Sequence, residues 1–455
     1  MEFSSLLFIY VILPVSLLVY SVTPAKVKNA VLLVLSILLC ATVGLEYLAI
    51  TAGFAVISYL LGLLIHKTGK IRAVSAIFLG IGILAGVFMF VVFRTELVTF
   101  PESIVSLPMI GLSYILLNST GYHIDIFRGK IAPEKNLFSY LLYILFFAKL
   151  SAGPVISYGS FRRILAKRRH SLSEIGAGLS LFAIGLAKKV IFADNFYELY
   201  SAVKSIDVYE LSAVSAWLGL GAYVICLYFT LSGMADMGAG VARCFGIKLP
   251  RSFRYPLFSY GVRDFCRRWH IPVMRWFSRY TAKPVYKAIS NPIEKNLLII
   301  TVCGVMGVWY GRGINSFIWG ILIGVSCVLE INNSNRKSGR LTAYVRTFFV
   351  MNLCWIFFMG SDPVYSFKYL LALLGGNNIL TDSLSSYLLS SYTVIILVGI
   401  IISTGAVPRL INKSRKKAVR VVYELFTPVF VTALLLICTA LITYSGVSQN
   451  MIIIL

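Results

Sequence analysis

Long apolar runs recur along this chain and are separated by short polar stretches. Several approach the roughly 20 residues that a helix needs to cross a hydrocarbon core about 30 Å thick. A backbone inside lipid must satisfy its own hydrogen bonds, so helices are the expected form of these runs. The pattern predicts an all-α polytopic membrane protein with about ten to twelve transmembrane helices. The runs are Phe3–Tyr20, Ala30–Leu45, Tyr47–Ile65, Ala73–Phe93, Tyr140–Ile156, Leu211–Leu231, Leu297–Tyr310, Phe317–Ile331, Thr347–Phe358, Ser391–Thr404 and Pro428–Tyr444.

The polar stretches between these runs are of two kinds. Two of them, Thr95–Ser106 and Ser361–Ser385, contain almost no Lys or Arg. Positive charge marks cytoplasmic loops, so the pattern predicts a multi-pass protein of the cytoplasmic membrane with both termini extracytoplasmic. The first run lacks a basic leading segment and a cleavage site, and we interpret it as a retained span. The basic stretches are Lys26–Lys28, His66–Arg72, Arg162–Arg169, Arg243–Lys287, Arg336–Arg346 and Arg409–Arg420.

Composition supports this interpretation. The 455 residues are 58% hydrophobic and 13% charged, with a formal net charge of +24, whereas a soluble chain carries about a quarter charged residues. Because the cations are parcelled between apolar runs, anionic lipid or an anionic substrate is a better partner than nucleic acid. The eight cysteines are scattered without a zinc-ligand spacing, and no metal site is predicted.

The chain shows no linker, and we predict a single membrane domain over 1–455. Within it, residues 1–106 are expected to form peripheral N-terminal helices, 107–375 the catalytic core and 376–455 C-terminal helices. In the core, Lys149 precedes a break at Gly153-Pro154, and Asp236 follows a Ser-Gly break. Such interruptions are tolerated at membrane depth where protein or a water-filled cavity receives the freed backbone. The core is therefore expected to surround a polar cavity.

The stretch "RDFCRRWHIPVMRWFSRY", residues 263–280, is unusually polar for this chain. Plotted at 100° per residue, it predicts an amphipathic helix with Trp269 on the apolar side and His270 among arginines on the other. One interpretation is an interfacial helix in which Trp anchors and Arg snorkels. The other is a chemical site, where neighbouring guanidiniums keep the imidazole neutral and bind anionic phosphates.

The run "LSGMADMGAGVARCFGIKLPRSFRYPLFSYGVRDFCRRWHIPVMRWF" resembles the central signature of the membrane-bound O-acyltransferase family. Collinear blocks such as "GYHIDIFRGKIAPEKNLFSYLLYILFFAKLSAGPVISYGSF" and "GVWYGRGINSFIWGILIG" extend the resemblance over roughly 107–375. The similar branch contains bacterial alginate O-acetyltransferases and the teichoic-acid D-alanyl transfer protein. The resemblance implies a helical bundle with re-entrant and interfacial helices around a central funnel. It also implies transfer of an acetyl or D-alanyl group from a cytoplasmic thioester to a hydroxyl reached from the other face.

By the same resemblance, His270 matches the first of two family histidines. The second lies in a Trp-His-Gly triplet, which here reads Trp309-Tyr310-Gly311. A phenol with a pKa of about 10 is a poor base at neutral pH, but it can donate a hydrogen bond to a developing oxyanion. We therefore expect His270 and Tyr310 to be catalytic. The expected donor- and substrate-binding residues are Asp236, Arg263, Asp264, Arg267, Arg268, Trp269 and Trp309.

Three hypotheses follow. In the first, the chain is an active O-acyltransferase; in the second, Tyr310 marks a degenerate homologue that binds an acyl donor or lipid, or assists assembly. The third, a transporter, fits the buried Lys149 and Asp236 but lacks a repeated half. The predicted partners are membrane lipids, acetyl-CoA or another acyl thioester free or on a carrier protein, an extracytoplasmic glycan or cell-wall polymer, and an extracytoplasmic esterase-like protein. No tightly bound cofactor is expected.

Overall fold

The computed structural model describes residues 3–95, 109–150, 153–311, 313–333, 339–406 and 417–445, with side chains described except at 93–95, 109–110, 417–425 and 445. Within these residues every regular element is helical. Nine of the described helices are long and apolar enough to cross a membrane. The predicted all-α polytopic fold is thereby confirmed. Most of the Lys-poor loop Thr95–Ser106 and most of the basic stretch Arg409–Arg420 lie outside the described residues.

The chain divides into two compact units. The first comprises Met1–Gly185 and Met234–Arg251. It contains α1 to α8, the beginning of α9 and the end of α10. These helices are α1 Phe8–Val22, α2 Lys28–Ala41, α3 Leu45–Lys67, α4 Arg72–Thr95, α5 Met109–Phe127, α6 Leu137–Leu145, α7 Phe147–Leu150, α8 Tyr158–Ala166, α9 Leu172–Lys204 and α10 Ala213–Cys244.

Glycines let α9 and α10 approach closely within this unit. A Cβ added at Gly240 would overlap the backbone nitrogen of Phe182, and one at Gly178 would overlap the carbonyl oxygen of Gly240. Small residues permit this kind of backbone contact between membrane helices. The crossing therefore depends on the absence of side chains at two positions.

Two predicted helix interruptions differ from the observed ones. The apolar run Tyr140–Ile156 breaks at Phe146, so that Lys149 lies in the short α7 rather than in a long helix. The Ser-Gly break expected before Asp236 is absent, because α10 runs without interruption from Ala213 to Cys244. A glycine inside a helix costs only about 1 kcal/mol relative to alanine, which the packing of a largely buried helix offsets.

The second unit comprises Leu186–Gly233 and Ser252–Leu455. It contains the rest of α9 and α10 and all later helices, several of which begin at a side-chain cap. Asn291, Asp362 and Asp382 each accept a hydrogen bond from a backbone N–H of the first turn that follows. The later helices are α11 Val262–Arg268, α12 Ile271–Phe277, α13 Lys283–Ala288, α14 Pro292–Tyr310, α15 Gly313–Asn332, α16 Arg340–Met359, α17 Pro363–Leu373, α18 Ser383–Thr404 and α19 Lys417–Ser445.

The long helix α9 is missing from the spans that we predicted from apolar runs. Lys188, Lys189 and Asp194 divide its sequence into two shorter apolar pieces. In the structure a π turn over Lys188–Ala193 brings Lys189 Nζ within 2.6 Å of Asp194 Oδ1. The two charges compensate each other inside one continuous helix, so the polar residues do not end it.

Candidate active site

A proline sets the position of His270. Continuing a helix through Pro272 would press its ring against the carbonyl of Arg268, four residues earlier. The helix instead ends at Arg268, and His270 takes a left-handed conformation with φ 38° and ψ 53° before α12 begins. The freed Arg268 carbonyl accepts a hydrogen bond from the Arg254 N–H at 3.0 Å. The continuous amphipathic helix predicted over 263–280 is therefore wrong.

His270 is enclosed by aromatic rings. His270 is only 1% exposed. Its ring stacks on the Phe253 ring, with centroids 5.4 Å apart and planes 20° apart. The rings of Trp309 and Tyr310 lie at 6.2 Å and 5.8 Å. Burial lowers the pKa of the imidazole to about 3 from its ordinary 6.5. The neutral form was predicted, but its cause is burial rather than the neighbouring guanidiniums.

A tight helical hairpin holds Tyr310. It is the last residue of α14, and α14 packs directly on α15 because glycines face each other across the pair. A Cβ at Gly307 would overlap the Ser316 carbonyl oxygen, and a Cβ at Gly320 would overlap the Cys303 carbonyl oxygen. Tyr310 is 6% exposed and meets Trp319 edge-on at 5.8 Å. The phenol is thus fixed by backbone packing on the side towards His270.

A wall of large aromatic residues surrounds this pair. Trp269 is wholly buried and lies 5.3 Å from both Phe265 and Trp355, measured between ring centroids. Trp355 in turn lies 5.1 Å from Trp319. The wall keeps water from the imidazole on this side. Trp269 therefore packs in the core, where we had predicted a role in donor binding; that role remains a prediction.

Phe253, Trp319 and Trp355 were not predicted as site residues. Phe253 and Trp319 lie in sequence blocks quoted above, and Trp355 lies within the range 107–375 of the resemblance. Composition alone does not distinguish a site-lining aromatic residue from an ordinary core residue. Only the three-dimensional contacts identify them.

The polar residues of α11 are partly engaged in local contacts. Asp264 Oδ1 lies 2.8 Å from Arg268 Nε, and Asp264 Oδ2 accepts the Tyr260 N–H at 3.2 Å. The Arg263 N–H donates to Glu330 Oε2 at 3.2 Å. Asp264 and Arg268 therefore stabilise the start and the end of one short helix. A second set of guanidiniums, on Arg267 and Arg275, is exposed.

Asp236, a candidate from the sequence, belongs to the first unit, together with the polar residues Arg243 and His123. Asp236 is half-buried in α10, and Arg243 Nε lies 2.9 Å from Glu174 Oε2. His123 Nε2 lies 2.8 Å from the Ser58 carbonyl oxygen and 3.1 Å from its hydroxyl. Asp236 belongs to the first unit and His270 to the second, and a site shared by the two residues stays a prediction.

Lys149 is fully buried without a carboxylate among the residues described around it. Its ammonium donates to the Tyr143 carbonyl and lies 4.3 Å and 4.6 Å from the centres of the Tyr143 and Phe161 rings. Cation–π contacts of this kind compensate a buried ammonium in part. Contacts within the first unit therefore explain how the Lys149 ammonium is held in a buried position.

Comparison with known proteins places these helices in a family. The sequence profile of the MBOAT, membrane-bound O-acyltransferase family matches residues 133–370, which is more than half of the chain. The peptidoglycan O-acetyltransferase of Helicobacter pylori is 28% identical over 428 residues, covering 83% of this chain and 80% of that protein. The probable alginate O-acetylase AlgI of Pseudomonas aeruginosa is 28% identical over 383 residues, covering 80% of this chain and 72% of that protein.

The similarity to a third relative is shorter. The teichoic acid D-alanyltransferase of Bacillus subtilis is 26% identical over 255 residues, covering 52% of this chain and 62% of that protein. The resemblance noted in the sequence is confirmed, and so is the predicted enzyme class at the level of the family. The chain belongs to the membrane-bound O-acyltransferase family.

Proposed function

We propose that this multi-pass membrane protein transfers an acetyl or D-alanyl group from a thioester to a hydroxyl of an extracytoplasmic polysaccharide or cell-wall polymer. The relatives named above act, by their names, on peptidoglycan, alginate or teichoic acid. The donor is acetyl-CoA or another acyl thioester on the cytoplasmic side. The basic loops Arg162–Arg169 and Arg243–Lys287 support that orientation, since positive charge favours the cytoplasm.

The observation that carries the proposal is the pairing of His270 with Tyr310. Their ring centroids lie 5.8 Å apart, and both residues are nearly excluded from solvent. A neutral imidazole can accept a proton, and a phenol can donate a hydrogen bond. A base and an oxyanion donor side by side in a dry pocket are what acyl transfer needs.

The reaction follows from these two groups. The acceptor hydroxyl gives its proton to the His270 imidazole as its oxygen attacks the thioester carbonyl carbon. The Tyr310 hydroxyl donates a hydrogen bond to the carbonyl oxygen while negative charge develops there. The carbon–sulfur bond then breaks, the imidazolium returns the proton to the departing thiolate, and the acyl ester is released.

The remaining predicted residues take binding roles in this proposal. The exposed guanidiniums of Arg267 and Arg275 suit the phosphates of coenzyme A or of a carrier protein's phosphorylated arm. Arg263 and Arg268 lie on either side of Arg267 on α11, and the Asp264–Arg268 pair keeps that helix in place. Trp309 lies beside the imidazole and Trp269 behind it, where both exclude water. Asp236 is assigned to the acceptor side, and an extracytoplasmic esterase-like protein is the proposed partner there.

The test is transfer by the full-length chain, purified and reconstituted in phospholipid vesicles. Radiolabelled acetyl-CoA is supplied outside and candidate polymers inside, and base-labile label on the polymer is counted. Label that appears with the parent chain and is absent with His270→Ala supports the proposal. His66→Ala, an exposed histidine in the first unit, is the matched control.

The degenerate-homologue hypothesis predicts a different outcome. Donor would bind to the parent chain, yet neither ester formation in vesicles nor ester-linked acetate or alanine on the surface polymers of cells would depend on it. That result would support a role in binding or assembly and would contradict the proposed catalysis.

A further inference from the structure

An apolar groove lies in the second unit among α10, α16 and α18. Its volume is about 270 Å³, and the 3₁₀ turn Pro256–Phe258 lines it near the start of α16, where Phe258 stacks on Tyr344. Along α16 it is lined at intervals of three and four residues, which is one face of a helix. These residues are Tyr344, Thr347, Phe348, Met351, Asn352 and Trp355.

The groove opens onto the outer surface of helices that are long enough to span a membrane. Phe348 and Ile400 on its lining are 42% and 39% exposed. Since α10, α16 and α18 are all long enough to cross a membrane, the opening faces hydrocarbon rather than water. We therefore expect the molecule that occupies the groove to be apolar.

The length of the groove fits one acyl chain. From Tyr344 to Trp355 the α16 axis advances about 16 Å at 1.5 Å per residue. One leaflet contributes about half of a hydrocarbon core that is roughly 30 Å thick. The groove thus extends as far as the chains of a single leaflet, and we expect its Tyr344 end at the level of a headgroup.

Two arginines lie close in sequence to the residues at the Tyr344 end. The Phe258 ring stacks on the Tyr344 ring, with centroids 5.5 Å apart and planes 7° apart, which joins the 3₁₀ turn to the start of α16. Arg340 lies one helical turn before Tyr344 on the same face, and Arg254 lies two residues before Pro256. Both arginines are exposed, and no carboxylate pairs with either among the described residues.

Two carboxylates of the second unit, on α11 and α15, are already engaged. Asp264 pairs with Arg268, and Glu330 accepts the Arg263 N–H. The charge of Arg254 and Arg340 is therefore available to an external anion.

We propose that this groove binds an anionic phospholipid, with one acyl chain against α16 and the phosphate at Arg254 and Arg340. The site does not depend on the proposed acyl transfer. Its inner wall includes Phe265 and Trp355, the same residues that pack on Trp269 beside His270. A bound chain would therefore stiffen the wall around the imidazole.

The experiment is quenching of tryptophan fluorescence in the purified full-length chain in detergent. Trp217 and Trp355 line the groove, and bromine on an acyl chain quenches indoles that it touches. Phosphatidylglycerol with brominated chains is titrated against phosphatidylcholine with the same chains. We expect saturable quenching with phosphatidylglycerol and much weaker binding of phosphatidylcholine.

Charge variants test the headgroup end. Arg254→Gln with Arg340→Gln should weaken phosphatidylglycerol binding about 25-fold, since each arginine near an anionic surface contributes about 1 kcal/mol. Arg346→Gln is the matched control, because Arg346 lies on the opposite face of α16 from Tyr344. It should leave the affinity unchanged.

A groove-filling variant tests the chain end. At Gly221 no heavy atom of the described residues lies within 4 Å of an added Cβ, so Gly221→Leu should fold and occupy the groove. Gly53→Leu, at an equally open position on α3, is its control. Gly221→Leu should abolish the saturable quenching, whereas Gly53→Leu should preserve it.

Three results would overturn the proposal. The first is unchanged quenching in a folded Gly221→Leu variant. The second is equal affinity for the two lipids together with no effect of the arginine double variant, which would indicate non-specific hydrocarbon contact. The third is displacement of brominated phosphatidylglycerol by palmitoyl-CoA at lower concentration than by phosphatidylglycerol, which would assign the groove to an acyl donor.

Discussion

The His270 imidazole and the Tyr310 phenol face each other with ring centroids 5.8 Å apart, one at a proline-forced helix break and the other at the end of a glycine-packed hairpin. Neither position depends on the other for its backbone. The chemistry at the two positions can therefore be varied separately.

Removing the imidazole should remove the base. His270→Ala is expected to lower the transfer rate about 10²- to 10⁴-fold, the usual contribution of general base catalysis. The rate is measured as ester formed on polymer by the reconstituted chain, with His66→Ala unchanged. Because the residue adopts positive φ, Asn is a second variant that tolerates this backbone. A folded His270→Asn variant with parental activity would exclude the base role.

Removing only the Tyr310 hydroxyl should weaken oxyanion stabilisation. Tyr310→Phe is expected to lower kcat about 10²-fold with little change in KM, as when other single oxyanion donors are lost. Tyr310→His supplies a donor again and should restore at least part of the rate. The matched control is Tyr286→Phe, which removes an exposed hydroxyl. A change in KM alone would assign Tyr310 to binding.

The exposed arginines should govern donor affinity rather than stability. Arg267→Gln with Arg275→Gln is expected to raise the KM for acetyl-CoA about tenfold or more, since hydrogen bonds to charged groups contribute about 1.5–3 kcal/mol each. The Tm in detergent should stay near that of the parent chain. Arg268→Gln should raise the KM and also lower the Tm, because Arg268 pairs with Asp264. A loss of Tm in the Arg267/Arg275 double variant as large as that of Arg268→Gln would show that Arg267 and Arg275 have a structural role.

The pH profile should reflect the buried imidazole. Because burial lowers the pKa of His270 to about 3, the base stays neutral as the pH falls through its ordinary 6.5. With donor binding checked at each pH, transfer should be nearly constant from about pH 8 to about pH 5, where a solvated histidine would already be protonated. A half-maximal rate near pH 6.5 would show that the imidazole is solvated during turnover.

The hairpin should be intolerant of side chains at its contact. Gly307→Ala places a methyl group against the Ser316 carbonyl and is expected to cost about 1–3 kcal/mol, typical of overpacking. Thermal unfolding in detergent measures the loss, with Gly53→Ala as the control at an open position. Transfer should fall as well, because the Tyr310 backbone moves. An unchanged Tm would mean that the two helices separate easily.

Hydrophobic periodicity was sufficient to predict the class of fold, because a membrane span depends on composition and length. It was insufficient for α9, where Lys189 and Asp194 compensate each other across a π turn that the pattern does not reveal. It also predicted a continuous helix through His270, although a proline two residues later, Pro272, already argued for a break. The last of these errors could have been avoided.

The candidate site was predicted in part. Position within a family signature identified His270 and Tyr310, but only packing reveals that Phe253 stacks on the imidazole and that Asp264 neutralises Arg268. Such contacts depend on loop conformation between distant segments, which no local pattern encodes. Trp269 is an example of the opposite error. Periodicity predicted an interfacial residue, whereas the structure shows that it is wholly buried.

The glycine contact between α14 and α15 has a consequence for how this site can change. The backbone that carries residue 310 is held by neighbours on its own hairpin, so the identity of that side chain is not required for its placement. A phenol and an imidazole can therefore occupy position 310 without any change in the backbone around it. Exchange of one for the other retunes the acidity of the group offered to the reacting carbonyl and leaves the architecture intact.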